Sequence, residues 1–283
     1  MSKPVCITAD STCDLTQELL ERFQVKTIPL HVLLGEESYL DGVDFTQEMI
    51  FQRYAKDKVL PRTAAISPQE FTDFFTPLVE AGYEVVFLCI SSGLSGTYQN
   101  AVIAAQDLPG VYPVDSQQLT TGMGEMILAA CGMRDKGMDA ASIAQAMEEM
   151  IPRVNVSFVL DTLEYMWKGG RCTGVTAFGA NLLNLKPCIE MRKGKLEVCK
   201  KYRGSIEKVY EKYIAERLAG KTIDPTYFFI TTSSPPSPEL AQRLEDAVRK
   251  AVPGVQEIFF TRTGCTVTSH CGPGTMGVLF VEA

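Results

Sequence analysis

Residues 85–90 (VVFLCI) constrain the fold more than any other stretch of this chain. Six consecutive apolar residues predict a strand buried on both faces, as in a parallel sheet covered by helices. The residues that follow, SSGLSGTYQN, predict a tight turn into a helix, because Gly93 and Gly96 permit close backbone geometry and Ser95 or Thr97 can cap a helix. One interpretation is an ordinary helix cap. The hydroxyls and free N–H groups also favour an anionic ligand at the carboxyl edge of the sheet.

The same turn begins like the nucleophile elbow of serine hydrolases. Ser95 and the two residues before it match the first half of G-x-S-x-G. The order Ser95, then Asp115 or Asp161, then His270 matches the order of the triad in α/β-hydrolases. Thr97 stands where the second glycine belongs, and its side chain would crowd the strained turn. A serine hydrolase is therefore the alternative function.

Composition limits the possible partners. The 283 residues suffice for one large domain or two of ordinary size. Hydrophobic residues at 46% and charged residues at 22% are typical of a soluble globular protein. The net charge of −7 argues against nucleic acid as the main partner, because such binding depends on basic residues at phosphates.

No segment has the pattern of a secretory signal or a membrane span. The apolar run before Asp10 is too short for a signal peptide, and no stretch approaches ~18 consecutive apolar residues. Nine cysteines are scattered without a C-x-x-C pair, which favours reduced, buried thiols over a disulfide framework or a zinc site. We therefore expect a cytoplasmic protein without a metal centre.

Strand-like and helix-like segments alternate through the first half of the chain, which predicts crossover connections and a parallel sheet. The predicted strands there are residues 5–9, 27–34, 85–90 and 111–116, and the predicted helices include 45–54, 69–79, 123–134 and 142–151. From residue 155 the pattern changes to short strands, and residues 192–195 (RKGK) form a hairpin signature. We predict an α/β domain over residues 1–153 and an α+β domain over residues 154–283.

The chain has two histidines. His31 lies in an apolar, strand-like run, where we expect a structural residue. His270 lies in a glycine-rich segment before the last strand, so it is either part of a structural turn or a hydrogen-bond partner for a carboxylate. Thr63 lies in a proline-flanked segment that on its residues alone predicts a surface loop.

Five motifs carry a resemblance to a known family. They are DSTCDL at 10–15, SSGLSGTYQ at 91–99, VDS at 114–116, KGGR at 168–171 and HCGPG at 270–274. Each is weak alone, but in this order they resemble the DegV family of fatty-acid-binding proteins, the acyl-carrying subunits of bacterial fatty acid kinase. The resemblance covers almost the whole chain.

The resemblance implies one long-chain fatty acid in a tunnel between the two domains of a protein without a cofactor, which we expect to be a monomer. Its carboxyl group would be held by Thr63, Ser95 and His270. Arg171 and Arg203 match residues of the surface that receives the kinase. Secondary candidates for the ligand site are Ser92, Gly96, Thr97 and Gly272.

The loop of Thr63 departs from the family pattern. Many members read Thr-Ser-Gln-Pro-Ser, whereas residues 63–67 read TAAIS. Thr63 is kept, but Ala64 and Ala65 replace two polar neighbours. The number of hydrogen bonds to the head group is therefore left open, and we expect a more apolar lining.

The physics of an acyl tail agrees with this hypothesis. About fourteen methylenes at ~0.8 kcal/mol each contribute on the order of 11 kcal/mol gross, part of which is lost to association entropy. A neutral hydrogen bond adds only ~0.5–1.5 kcal/mol. The tail would therefore supply affinity while Thr63, Ser95 and His270 fix orientation.

The chain has no P-loop motif and no evident carboxylate cluster for magnesium, so ATP and catalysis are expected from a separate kinase. A local excess of cations favours docking on an acidic surface, although a solvated hairpin explains the individual lysines nearly as well. These cations are Lys168, Arg171, Lys193, Lys195, Lys200, Lys201 and Arg203. A sensor that responds to lipid occupancy would use the same pocket, and the sequence does not distinguish it.

Overall fold

The computed structural model describes residues 3–173 and 185–283. The described strands are β1 (Val5–Asp10), β2 (Lys26–Ile28), β3 (His31–Leu34), β4 (Glu37–Leu40), β5 (Arg62–Ala64), β6 (Glu84–Cys89), β7 (Val111–Asp115), β8 (Val154–Val159), β9 (Cys172–Thr173), β10 (Leu185–Arg192), β11 (Lys195–Arg203), β12 (Tyr227–Thr232), β13 (Glu257–Arg262) and β14 (Met276–Val281). The described α-helices are α1 (Gln17–Arg22), α2 (Gln47–Asp57), α3 (Pro68–Glu80), α4 (Thr97–Ala105), α5 (Thr120–Asp135), α6 (Ala140–Met150), α7 (Glu164–Gly169), α8 (Ile206–Leu218), α9 (Pro238–Ala251) and α10 (Cys265–Cys271).

Strands β2, β1, β6 and β7 form a parallel sheet in that order. Successive side chains of a strand point to opposite faces, so a strand covered on both faces is apolar at every position. In β6, Phe87 packs in the core with Phe71 and Phe75 of α3, whereas Val86 and Leu88 belong to the core that includes α5 and α6. The prediction of a strand buried on both faces is confirmed.

A second, mixed sheet forms the carboxyl-terminal half. Its described strands follow the order β13-β12-β14-β8-β10-β11-β9, with antiparallel pairs at its centre and a parallel pair at each end. A core with residues of α8 and α9 covers one face, including Tyr213 and Leu244. The predicted fold class, a parallel α/β half followed by an α+β half, is confirmed.

Helix α5 lies between the two sheets. It contacts β1 and β6 of the first sheet and β8, β12 and β14 of the second. The helix approaches the second sheet closely at Gly122, where an added Cβ would lie 2.0 Å from Val156 Cγ2. The two halves therefore share one hydrophobic core through α5, and the mixed sheet begins at Val154. The domain boundary at 153/154 stays a prediction, and residues 174–184 of the second predicted domain lie outside the described residues.

A small antiparallel sheet, β4-β3-β5, interrupts the strand–helix alternation. The predicted strand over residues 27–34 is in fact two strands, β2 and β3, because Pro29 supplies no N–H for a continuous ladder. His31 lies on β3, and its Nε2 is 2.7 Å from Glu70 Oε1, as expected for a structural histidine. Within the described residues, no helix has the length and apolar character needed to cross a membrane.

Candidate functional site

The turn between β6 and α4 is held by carboxylates from the two neighbouring strands. Asp10, at the end of β1, accepts a hydrogen bond from Ile90 N at 2.7 Å. Asp115, at the end of β7, accepts from Ser92 N at 3.0 Å and from Ser92 Oγ at 2.5 Å. Adjacent parallel strands end at the same edge of the sheet, so these two side chains reach the turn from either side.

Ser95 faces a cavity from this turn. Its Oγ accepts a hydrogen bond from Thr97 N at 3.3 Å and lies 2.8 Å from Thr97 Oγ1. Thr97 itself is fully buried at the first position of α4. The Ser95 hydroxyl is therefore fixed by the start of α4, while its side chain lines the cavity.

The turn also contacts the β10–β11 hairpin of the other half. Ser91 Oγ donates to Gly194 O at 2.7 Å. A Cβ added to Gly93 would lie 2.3 Å from the same carbonyl oxygen, so only glycine fits there without a shift of backbone. The hairpin tip therefore sets the position of one wall of the cavity.

Thr63 and His270 meet across 207 positions of the sequence. His270 Nε2 lies 3.0 Å from Thr63 Oγ1, which joins β5 to α10. His270 Nδ1 is buried and has no hydrogen-bond partner among the described residues. Burial, followed by the nearby Arg171 guanidinium, lowers the pKa of His270 to about 4. The imidazole is therefore neutral at pH 7.

Two carboxylates of the amino-terminal half hold the start of α10. Asp14 Oδ1 accepts from Gly264 N at 2.7 Å, and Asp41 Oδ1 accepts from Cys265 N at 2.6 Å. Both side chains are buried, and burial raises the pKa of Asp14 well above its usual value. They satisfy N–H groups that have no partner within the helix, and so they fix the helix that carries His270.

Thr63, Ser95 and His270 line a cavity of about 400 Å³, a volume typical of small-molecule sites, and residues of both halves form its wall. Its wall is mostly apolar. The described lining residues are Leu30, Thr63, Ala64, Ala65, Ile90, Ser92, Gly93, Leu94, Ser95, Gly96, Leu119, Phe158, Met166, Arg171, Leu196, Thr266, Val267, His270 and Cys271.

A smaller chamber of about 20 Å³ adjoins this cavity. Leu119, Phe158, Val267 and Cys271 line both spaces and form the partition between them. The chamber has room for about one water-sized group.

Most of the predicted site residues meet at this cavity. Thr63, Ser95, His270, Ser92, Gly96 and Arg171 all line it. Thr97 and Gly272 are not among its described lining residues: Thr97 holds Ser95, and Gly272 ends α10 with a φ of 74°. Arg203 is exposed at the far end of β11, roughly 23 Å along the strand from Leu196. The structure therefore does not bring Arg171 and Arg203 together.

Two local predictions were wrong. Thr63 lies in strand β5 and not in a surface loop, because β5 pairs with the half-buried β3. His270 lies in the last turn of α10 and not in a glycine-rich loop, since the loop begins only at Gly272. The expectation of an apolar wall agrees with Ala64 and Ala65, which both line the cavity.

The described hydrogen bonds do not assemble a hydrolase triad. Ser95 bonds to Thr97, and the His270 ring bonds to Thr63. Asp115 holds Ser92, and Asp161 lies 2.5 Å from Lys186 Nζ. Within residues 3–173 and 185–283, no three His, Cys, Asp or Glu side chains group closely enough to hold a metal ion.

Fold and site define an α/β protein with a mostly apolar cavity that is lined by hydroxyls and a neutral histidine. The chain belongs to the DegV family, whose sequence model matches residues 4–283. A DegV domain-containing protein from Clostridium acetobutylicum is 30% identical over 98% of both chains.

Solved structures show the same fold. A DegV family protein from Thermus thermophilus, described by its fatty acid binding, is 32% identical, with a TM-score of 0.88 over all of both chains. A stearic acid-binding protein from Eubacterium ventriosum is 26% identical, with a TM-score of 0.81 over 98% of this chain and 97% of that one.

Proposed function

We propose that this protein binds a long-chain fatty acid in the 400 Å³ cavity and presents its carboxyl group to a separate ATP-dependent fatty acid kinase for acyl-phosphate formation. The observation that carries the proposal is one apolar cavity lined by Thr63, Ser95 and His270, which were predicted as carboxyl ligands. The fatty acid binding of the Thermus thermophilus relative supports it.

The hydrogen bonds around the Thr63 and Ser95 hydroxyls leave both free to donate to the ligand. If the neutral His270 carries its proton on Nε2, it donates to Thr63 Oγ1, and the Thr63 hydroxyl hydrogen is free. Ser95 Oγ already accepts from Thr97 N, and it can also accept from Thr97 Oγ1. Each hydroxyl then accepts from its neighbour and donates its own hydrogen to the carboxyl group. His270 acts through Thr63 and contributes no charge.

The apolar wall supplies the affinity in this proposal. Burial of a methylene contributes ~0.8 kcal/mol, whereas a neutral hydrogen bond contributes ~0.5–1.5 kcal/mol. Phe158, Leu119 and Val267 provide apolar surface for the tail, and the small chamber behind them lies where a chain can end. The head-group residues then select the orientation that a kinase requires.

Arg171 is the cationic side chain among the described lining residues of the cavity. It lines the cavity, remains exposed, and lies close enough to His270 to lower the pKa of that ring. An exposed guanidinium beside the carboxyl group is suited to contact an incoming acidic partner or a transferred phosphoryl group. Arg203 would contact the partner separately, at the far end of β11.

Native mass spectrometry of the protein recovered from cells tests lipid binding. We expect a bound mass that matches a long-chain fatty acid, released by solvent extraction and restored by added fatty acid. A protein that carries no acyl chain and takes none up would refute the proposal. Kinase coupling is tested separately by adding a bacterial fatty acid kinase and ATP and trapping the acyl phosphate with hydroxylamine.

A further inference from the structure

Two cysteine thiols meet across strands β10 and β11. Cys188 pairs with Lys200 and Ile189 pairs with Val198, so Cys199 is the extra residue of a β-bulge. In such a bulge two residues of one strand stand opposite one residue of the other, and here Cys199 and Lys200 share Cys188. Cys199 Sγ lies 3.4 Å from Cys188 O, so the Cys199 thiol lies against Cys188 at the bulge.

This arrangement suits a disulfide. Residues opposite each other in antiparallel strands have Cα atoms about 4.5–5.5 Å apart, and a disulfide spans about 4.4–6.8 Å. The Cys199 sulfur already lies against Cys188, so bond formation needs side-chain rotation and no separation of the strands.

The two thiols differ in environment. All nine cysteines lie among the described residues, and Cys199 is the exposed one. The hydrogen bond from Cys188 lowers the pKa of Cys199, and the nearby Arg217 guanidinium acts in the same direction. The same hydrogen bond, followed by burial, raises the pKa of Cys188. An exposed thiol of lowered pKa beside a buried thiol of raised pKa matches the arrangement of an attacking and a resolving cysteine.

We propose that Cys199 and Cys188 form a redox-active dithiol site that reduces hydrogen peroxide and closes to a disulfide. The Cys199 thiolate attacks one peroxide oxygen, the O–O bond breaks, and the departing hydroxide takes up a proton, which leaves a sulfenic acid and one water. The Cys188 sulfur then attacks the Cys199 sulfur, and the hydroxyl leaves as a second water. Two thiols lose two electrons and two protons, and one peroxide becomes two waters. A dithiol reductant reverses the change.

The β10–β11 hairpin connects the dithiol site to the wall of the cavity. Leu196, three residues before Cys199 on β11, lines the cavity, and Gly194 at the hairpin tip accepts from Ser91. A covalent bond at the bulge restricts the sliding of β10 against β11. It therefore reduces the freedom of the strand that carries Leu196.

Peptide mapping of the full chain tests the proposal. The protein is treated with hydrogen peroxide, blocked with an alkylating reagent and digested with trypsin. Cleavage at Arg192, Lys193 and Lys195 separates the two cysteines, so only a disulfide joins their peptides. The peptide of residues 172–192 also carries Cys172, so fragmentation of the joined peptides assigns the bonded cysteine. We expect the joined pair in treated protein, its loss on addition of dithiothreitol, and alkylation of both thiols in untreated protein.

Variants identify the roles of the two sulfurs. Cys199→Ser should abolish the joined pair, and Cys188→Ala should leave Cys199 as a sulfinic or sulfonic acid. Cys6→Ser, at a buried cysteine of the first sheet, should leave the joined pair unchanged. Oxidation of wild-type Cys199 to sulfinic acid without the joined pair would overturn the proposal, as would a treated protein in which both thiols still alkylate. The wild-type map decides the matter even if Cys188→Ala does not fold.

Discussion

The ring of His270 occupies the space where any side chain at position 169 would begin. A Cβ added to Gly169 would lie 2.3 Å from His270 Nδ1 and 3.2 Å from Cγ. Gly169 therefore limits the ring at Nδ1, while Thr63 holds it at Nε2. Gly169, in the KGGR motif, is therefore part of what orients the histidine.

Gly169→Ala should move the His270 ring and weaken its bond to Thr63. We expect a destabilisation of about 1–3 kcal/mol, typical of overpacking, and a larger loss of kinase-dependent turnover than of lipid binding. Gly132→Ala is the matched control, because a Cβ there meets nothing within 4 Å. Chemical denaturation and the hydroxylamine assay measure the two effects. Equal behaviour of the two alanine variants would contradict this role.

Ser95→Ala and His270→Ala should retain most lipid binding and lose most phosphoryl transfer. Each removes a neutral hydrogen bond, so Kd should rise by no more than about tenfold. A misoriented carboxyl group should slow turnover by about a hundredfold. Fluorescent fatty acid titration and acyl-phosphate formation, compared at saturating lipid, measure both. A parallel loss of affinity and turnover would show that these residues supply binding affinity and not only the orientation of the carboxyl group.

Stability should depend on pH through His270. Its pKa is about 4 in the folded protein and 6.5 as the unperturbed value, so the unfolded state binds more protons between these limits. The free energy of unfolding therefore falls as pH falls from 6.5 to 4, by at most about 3 kcal/mol from this group.

His270→Gln should remove this pH dependence. The difference in unfolding free energy between wild type and variant should narrow as pH falls from 7 to 4 in chemical denaturation. Burial raises the pKa of Asp10 to about 6, which acts in the opposite direction, but Asp10 is present in both proteins and cancels. Parallel pH profiles would show that folding does not lower the pKa of His270.

Phe158→Ala should shift chain-length preference toward longer fatty acids. Its ring separates the main cavity from the smaller chamber, so its removal joins the two spaces. Competition between fatty acids of different length, read by native mass spectrometry, measures the shift. Phe74→Ala is the control, since Phe74 packs in the core beneath the first sheet. An unchanged preference in Phe158→Ala would place the chain end elsewhere.

Arg171→Ala should raise the KM for the kinase while leaving lipid occupancy intact. Its guanidinium is exposed and bonds to Gly169 O at 2.8 Å, so its loss removes a surface charge and little packing. Arg203→Ala tests the distant candidate on β11 in the same assay. An empty cavity in Arg171→Ala would instead assign this arginine to lipid retention.

The buried strands could be predicted from the sequence because their signal is local. The apolar run of β6 and the polar turn after it predicted both the sheet and the position of Ser95. Helix α10 could not be predicted, because its seven residues, CTVTSHC, lack apolar periodicity and lie next to a glycine-rich loop. Thr63 was misplaced because a three-residue strand has no periodicity of its own.

Contacts between residues far apart in the chain also could not be predicted from the sequence. Asp14 is separated from Gly264 by 250 positions, and nothing near either residue predicts their hydrogen bond. The same holds for Leu119, Phe158 and Val267, which read as ordinary core residues. Only the fold shows that they border an empty space and not another side chain.

Asp14 and Asp41, which hold the start of α10, affect how a ligand can enter and leave the cavity. Pulling the halves apart would break the hydrogen bonds from Gly264 N to Asp14 and from Cys265 N to Asp41. Breaking these hydrogen bonds costs free energy, so we expect the contact between α10 and the amino-terminal half to stay fixed and not to act as a hinge. We therefore expect a ligand to enter and leave by local rearrangement of the cavity wall, while the His270–Thr63 hydrogen bond stays in place.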